Sequence, residues 1–219
     1  MTNKYVKGHI SKPELEERIL EVTMDMFHKQ GIKQVRMDDI AKTLSISKRT
    51  LYEIFDDKET LLLKCIKRKQ EMQDKYMQQF DLSQSNVLEV VLHHYQYTIE
   101  LLPHVNPAFF EDLKKYPSVV SLIRRKRMED FNHVVAYFNK GIEQGIFQPD
   151  VNMELFIRLL NITTDNSMEA DIYKHYPIDE IYRAILFTYL RGIATDKGLK
   201  IIDEFIHKSK DKNQGSSHT

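Results

Sequence analysis

Between Gly31 and Leu61 the chain places two helical apolar stripes in a stretch too short for either helix to stand alone. Met37, Ile40, Ala41 and Leu44 are spaced i, i+3, i+4, i+7, which is one buried face of a short helix. The pattern stops at Ser45-Ile46-Ser47 and resumes with Leu51, Ile54 and Phe55. Helices this short are not stable alone in water, because nucleation is costly and few hydrogen bonds follow it. Both must therefore pack on a further element, at an angle set by the break. The preceding segment supplies that element. Leu15, Ile19, Val22 and Met26 share a face of a helix predicted over about Pro13 to Gln30, with Pro13 in its first turn and Gly31 ending it. With Ser47 as N-cap, the third helix is predicted over about Ser47 to Phe55. Placing Leu51 inward carries Ile54 and Phe55 to the same side and turns Arg49, Thr50, Tyr52 and Glu53 outward or sideways, with Lys48 flanking them. One face packs and the other is offered to a partner, which is the geometry of a helix-turn-helix.

The residue types on that outer face suit DNA. Arg49 can donate two hydrogen bonds to the O6/N7 edge of guanine. Thr50 and Tyr52 carry hydroxyls able to reach phosphate oxygens, which sets register without reading sequence. Lys58 falls in the first turn of the next helix, where free N–H groups and the dipole already favour a phosphate. Arg36 stands at the start of the second helix, and Lys42, Lys48 and an N-terminal arm with Lys4, Lys7 and Lys12 can add phosphate contacts. Taken alone, Lys48 and Arg49 are an ordinary solvated helix face; the three helices, their spacing and their breaks together favour the DNA reading. The chain is neutral overall, with 32 Lys+Arg against 32 Asp+Glu, so any nucleic-acid site must gather its positive charge locally.

Beyond Leu61 the apolar spacing stays helical, and only 7 Gly and 6 Pro interrupt 219 residues. Asp56-Asp57 offers a cap for a helix to about Phe80. Further helices are predicted over about 85–102, 107–116, 118–144, 153–173 and 178–195, with a last one to about Lys208 and a frayed polar tail. The fold class expected is all-α: a three-helix head over residues 1–57 and a C-terminal antiparallel helical bundle over 58–219. The single cysteine, Cys65, cannot form an internal disulfide and points to a reduced, cytoplasmic setting, where it serves as a small core hydrophobe. The first residues lack an apolar segment of signal-peptide length, and no apolar run is long enough to span a bilayer, so no membrane partner is expected.

The ungapped segment GIKQVRMDDIAKTLSISKRTLYEIFDDKETLL resembles the N-terminal DNA-binding signature of the TetR family of transcriptional regulators. The residues that carry the likeness are Gly31, Ile40-Ala41, Ile46-Ser47, Thr50-Leu51-Tyr52, Phe55, Lys58-Glu59 and Leu61, and the stretch from Gly141 to Asp150 is also similar to a helix end of that family. The chain departs from the pattern at Ser45 and Arg49, where the family often has Gly, and at Val35 and Arg36, where it often has Thr or Ser. Ser45 must therefore make the inter-helix turn without glycine's freedom at positive φ.

The resemblance implies a ligand-responsive regulator, most commonly a repressor, that binds a pseudo-palindromic double-stranded DNA operator as a homodimer and is released by a small-molecule effector. It implies that the last two long helices pair with their copies in a four-helix bundle. The broad apolar faces of Phe156, Ile157, Leu159 and Leu160 on one helix, and of Ile181, Ile185, Thr188, Tyr189 and Gly192 on the other, agree with that, and Ala184 and Gly192 would permit close approach; the alternative is that these faces pack only within one chain. It also implies an effector pocket among the helices between about 85 and 170. Tyr95, Phe109, Phe110, Phe131 and Phe138 are its candidate lining, although core packing is the better reading of any one aromatic there. No cofactor and no metal site is expected. Adjacent His93 and His94 do not share a helix face, and neither His104 nor His133 has the i, i+4 partner of a zinc site. The run Arg124-Arg125-Lys126-Arg127 points several ways around its helix and reads as a solvated face.

Two other classes stay open at this level. An enzyme on a helical bundle would need a phosphate loop, an HExxH or paired Glu-x-x-His motifs, none of which the sequence contains. A helical adaptor would bind protein through an apolar groove, with the basic helix incidental; a mobility shift with DNA adjoining the gene separates it from a regulator.

Overall fold

A computed structural model describes residues 11–80, 85–102 and 105–215 of the chain. Among these residues the regular structure is helical: α1 (Lys12–Gln30), α2 (Met37–Leu44), α3 (Lys48–Tyr52), α4 (Lys58–Met77), α5 (Val87–Leu101), α6 (Pro107–Leu113), α7 (Pro117–Glu143), α8 (Met153–Glu169), α9 (Ile178–Ile193) and α10 (Asp196–Gly215). The all-α expectation holds. Lys4, Lys7 and His104 lie outside the described residues.

Local chemistry explains most boundaries. Ser11 and Glu14 form a reciprocal capping box at the start of α1: the Ser11 N–H donates to Glu14 Oε2 at 2.8 Å, and Ser11 Oγ accepts the Glu14 N–H at 3.4 Å. Ser47 caps α3 by accepting the Thr50 N–H at 3.0 Å, and Asp57 accepts the Thr60 N–H at 2.7 Å at the start of α4. Gly31 ends α1 at φ 83°, and a Cβ built there would lie 2.9 Å from the Ala108 Cβ, so both the backbone angle and the close packing require glycine.

Some segments differ from their predicted spans. The helix expected over 47–55 is regular only from Lys48 to Tyr52, because the Leu51 carbonyl accepts N–H groups from both Ile54 and Phe55 and the chain tightens into a turn. α8 stops at Glu169 rather than near Tyr173. Asp171, at φ 56°, turns the chain into a short 3-10 segment, Ile172–Lys174. α10 runs on to Gly215 rather than ending near Lys208; lysine and glutamine continue an established helix readily.

Packing divides the chain into two compact units. The first comprises Met1–Met72 with Ala108–Ile123. Its interior holds Ile19, Phe27, Ile32, Ile40, Leu51, Phe55, Leu61 and Leu62, all fully buried, and Cys65 among them. The second comprises Gln73–Pro107 with Arg124–Thr219. Its core gathers Leu88, Leu92, Tyr95, Phe138, Phe147, Phe156, Leu190 and Ile202. There Phe147 stacks on Phe138 with centroids 5.6 Å apart, and the chain beside it is pinned by the Gln148 N–H on Ile193 O (2.8 Å) and the Thr195 N–H on Ile146 O (2.9 Å). α8 and α9, joined by a short connection, pack closely in this bundle.

Ser45 occupies the left-handed region at φ 56°, ψ 37°, as the sequence required of it. A non-glycine residue there costs about 1–2 kcal/mol, part of which a glycine returns as unfolded-state freedom. Ser45→Gly is therefore expected to raise the urea midpoint by roughly 0.5–1 kcal/mol of stability; an unchanged or lower midpoint would show that the turn carries no such strain.

His28 yields a second expectation. Its ring meets Phe109 edge-on at 5.0 Å, its Nε2 is buried without a partner, and burial, reinforced by the Lys69 charge, lowers its pKa from 6.5 to about 4. Between those values the unfolded chain binds the proton that the folded chain refuses. Stability contributed by neutral His28 is thus complete above pH 6.5 and declines as pH falls toward 4. Allowing for partial solvent access, the loss is on the order of 2 kcal/mol. Equilibrium unfolding of His28→Phe at pH 7 and pH 4.5 should show a smaller decline than the unsubstituted chain; equal declines would contradict the assignment.

Candidate nucleic-acid interface

α3 is built around two buried anchors. Leu51 is 0% and Phe55 1% exposed, packed within the first unit. Because α3 is held by that face, the opposite one projects outward. Lys48, Arg49, Tyr52 and Glu53 are exposed, while Thr50 and Ile54 are half-buried. The Arg49 side chain is 89% exposed, and its Nε donates to Glu53 Oε1 at 2.8 Å, which leaves both terminal nitrogens of the fork for a base edge. Lys48 pairs with Asp38 of α2. The Thr50 hydroxyl shares a hydrogen bond with Ser47 Oγ at 2.8 Å, so it reinforces the cap as well as facing outward. Arg36 is the exposed N-cap residue of α2, its N–H held by Asp39 Oδ2 at 3.1 Å.

Lys58 behaves differently. Its ammonium donates to Ile32 O at 2.9 Å and Val35 O at 3.1 Å, bridging the first turn of α4 to the α1–α2 loop. Burial lowers its pKa, against the opposing pull of Asp112. Two of its three N–H donors are thereby committed inside the protein, and one remains for an outside acceptor.

Two features escaped the sequence reading. Asp38 and Glu53 give Lys48 and Arg49 carboxylate partners, so the face is more evenly charged than its basic residues suggest. The i, i+4 spacing of Arg49 and Glu53 was visible in the sequence; the Lys48–Asp38 pairing, which joins two helices, was not. The second feature is Asp112 of α6, whose side chain is only 7% exposed. It accepts the Lys33 N–H at 2.7 Å and the Lys115 ammonium at 2.9 Å. Burial raises its pKa, but the Lys33 N–H and the Lys115 hydrogen bond and charge outweigh this and hold it below the ordinary carboxylate value. No sequence signal links residues 79 positions apart.

The predicted pocket aromatics fall into two groups: Tyr95 and Phe138 share the core of the second unit, with Phe131 packed against it, and Phe109 meets Phe110 in the first. Tyr95 packs against Tyr182, Phe187 and Phe205, and Phe138 against Phe147 and Phe156. Phe109 lies in the first unit, edge-on to both His28 and Phe110. Phe131 lines an open groove of about 380 Å³ with Met128, Ile162 and three arginines, and the Arg158 guanidinium sits 4.5 Å over its ring. Tyr137 has a buried hydroxyl with no hydrogen-bond partner.

The predicted pairing residues divide. Phe156 and Ile181 are buried within their own unit, Leu160 and Ile185 are half-buried, and Thr188 and Gly192 are exposed, with open space above Gly192. The exposed apolar stripe of α8 consists of Leu155 (53%), Leu159 (46%) and Ile162 (54%), of which Leu159 belongs to the face read from the sequence. Beside it, α9 exposes Ala184, Thr188 and Gly192. The basic run of α7 is neutralised residue by residue: Arg124 by Glu169, Arg125 by Glu129, Lys126 by Asp74 and Asp130, and Arg127 by Asp165. Among the described residues no helix is long and apolar enough to cross a membrane, and no group of three or more His, Cys, Asp or Glu side chains is placed to hold a metal ion.

Residues 19–65, which run from within α1 to the first turns of α4, match the family model for bacterial regulatory proteins of the tetR family. The chain is 25% identical over 151 residues to the HTH-type transcriptional repressor KstR2 of Mycobacterium tuberculosis, a match covering 67% of this chain and 76% of that one. Its fold is similar to that of a TetR-family transcriptional regulator from Agrobacterium tumefaciens, with a TM-score of 0.66 at 15% identity over 84% of this chain and 100% of the other. It is also similar to a transcriptional regulator from Saccharomonospora viridis in complex with choline, with a TM-score of 0.64 at 18% identity over 84% and 100% of the two chains. The helix-turn-helix that the apolar spacing required, the match over that same segment and the shared all-helical fold agree: the chain is similar to the TetR family of transcriptional regulators in its N-terminal segment and in its fold.

Proposed function

We propose that this regulator is a ligand-responsive repressor that reads a pseudo-palindromic operator as a homodimer and releases it on binding a small-molecule effector. The observation that carries the DNA reading is α3 itself. Buried Leu51 and Phe55 oblige the same short helix to expose Lys48, Arg49 and Tyr52. In this reading residues 1–57 form the DNA-binding domain and 58–219 the effector and dimerisation domain. Arg49 reads a base edge. Arg36, Lys48, Thr50 and Tyr52 hold phosphates, and Lys58 does so with its remaining donor. One short helix binds weakly alone, so two copies about 34 Å apart reading two half-sites are the natural arrangement.

For the dimer, support comes from the stripe Leu155, Leu159 and Ile162 on α8 beside Ala184, Thr188 and Gly192 on α9. An apolar stripe next to small residues suits close helix packing against a second copy. For the effector, a neighbour of this fold is found in complex with choline, a small cationic molecule. A reducing cytoplasm suits Cys65, which is buried and has its pKa pushed up to about 12 by that burial, leaving an inert thiol.

The DNA reading is tested by fluorescence anisotropy with DNA flanking the gene. Binding should weaken steeply with added salt. Arg49→Ala should cost about 1–3 kcal/mol of discrimination at one base pair per half-site, whereas Lys58→Ala should weaken all sequences alike. A flat salt response, or the same uniform loss from both substitutions, counts against these roles.

Pairing is tested separately. Leu159→Glu puts a charge on an exposed residue and should leave the helical circular dichroism intact while light scattering shows a monomer and operator affinity collapses. A dimer that survives this substitution with full affinity would place the pairing surface elsewhere.

A further inference from the structure

We propose that Asp112 is a positioning residue for DNA binding, acting through the α1–α2 loop that sets the start of α2. The inference rests on the reading of α2 and α3 as the DNA-contacting pair. The loop between Gly31 and Arg36 is held by groups from outside itself. From α4, the Lys58 ammonium takes the carbonyls of Ile32 and Val35. From α6, Asp112 takes the Lys33 N–H at 2.7 Å, and Ala108, one helical turn earlier, lies so close to Gly31 that a Cβ on Gly31 would approach its Cβ to 2.9 Å.

Asp112 is the one charged residue among the buried side chains described in this chain. A buried carboxylate is costly unless it is hydrogen-bonded, and here a main-chain N–H donates to one oxygen and a lysine ammonium to the other. An apolar residue in its place would pack as well but would not fix where the loop amide sits; a directional, charge-assisted hydrogen bond does. Lys33 is itself exposed, so its N–H can turn to water when the carboxylate is removed. Losing the contact therefore loosens the loop without leaving an orphaned buried donor. Arg36 and the first turn of α2 follow directly, and α3 follows α2 through the rigid Ser45 turn. A small change of angle at the loop displaces the outer face of α3, and base-edge hydrogen bonds tolerate little displacement.

The test compares Asp112→Ala, Asp112→Asn and Lys115→Ala in the full-length protein. Three measurements are made on each: operator anisotropy over a salt series, Lys33 amide exchange, and thermal stability. For Asp112→Ala the expected result is about a tenfold loss of operator affinity, a salt slope equal to that of the unsubstituted protein and faster Lys33 exchange. Asparagine keeps an acceptor oxygen for the Lys33 N–H, so Asp112→Asn should recover most of the affinity and the amide protection. Lys115→Ala removes an exposed partner and should bind normally. The proposal is overturned if Asp112→Ala loses amide protection yet binds as before. It is also overturned if the alanine and asparagine variants lose affinity equally and in step with their stability, which is what general destabilisation produces. Failure of the unsubstituted protein to bind any operator overturns the parent reading instead, and this one with it.

Discussion

The burial of Leu51 and Phe55 is the interaction on which the proposed DNA-facing surface depends. A helix of five residues makes too few hydrogen bonds to repay its nucleation, so α3 exists because those side chains leave water. Each contributes about 1.5–3 kcal/mol on full burial, more than the backbone of α3 can supply. The same contact fixes rotation about the helix axis. Once Leu51 and Phe55 face inward, Arg49 and Tyr52 have no interior to occupy. The exposure of the recognition face is thus a consequence of core packing, and its angle is set by a left-handed Ser45 and the α1–α2 loop.

Electrostatics then explains how a neutral chain can carry the DNA-reading face proposed for α3. Arg49 and Lys48 rest on Glu53 and Asp38, and these pairs are largely exposed. Exposed pairs are worth about 0–1 kcal/mol, so exchanging such a partner for a phosphate or a guanine edge costs little. Glu53 also restrains a side chain that would otherwise sample many rotamers. Lys58 is the contrast. With two carbonyls on its ammonium it is part of the scaffold, and any phosphate it takes is an addition to that role. The basic run of α7 has the opposite character to α3: its four cations are neutralised by carboxylates of neighbouring turns and helices, which suits a structural surface.

On α8, one position along the helix separates core from surface. Phe156 is buried and Leu155 exposed; Leu160 is half-buried and Leu159 more open. Both sets are apolar, so the amphipathic contrast that normally orients a helix is weak here. A helix apolar over so much of its circumference has more than one surface to cover, and only the position of its neighbours tells which stripe the chain covers for itself. The pocket aromatics illustrate the same limit. Tyr95, Phe109, Phe131 and Phe138 satisfy any rule that asks for large apolar rings on helices, yet Tyr95 and Phe138 are core, Phe131 packs at the core's edge and Phe109 lies in the other unit, because ring–ring contacts between distant helices carry no signature in spacing.

What the sequence determined by itself was local and periodic. The helical class, the helix ends at Gly31, Ser47 and Asp57, the positive φ demanded of Ser45, and the inward Leu51 with outward Arg49 all follow from residues within a few positions of one another. What only the tertiary structure decided was long-range. It set the commitment of Lys58 to the loop carbonyls, the buried Asp112 on the Lys33 amide, the pairing of Lys48 with Asp38, and the choice of Leu155, Leu159 and Ile162 as the open stripe of α8. The physical reason is the same throughout. Propensity, capping and periodicity act along the chain, whereas desolvation and hydrogen-bond partners are assigned only when distant helices close around a side chain.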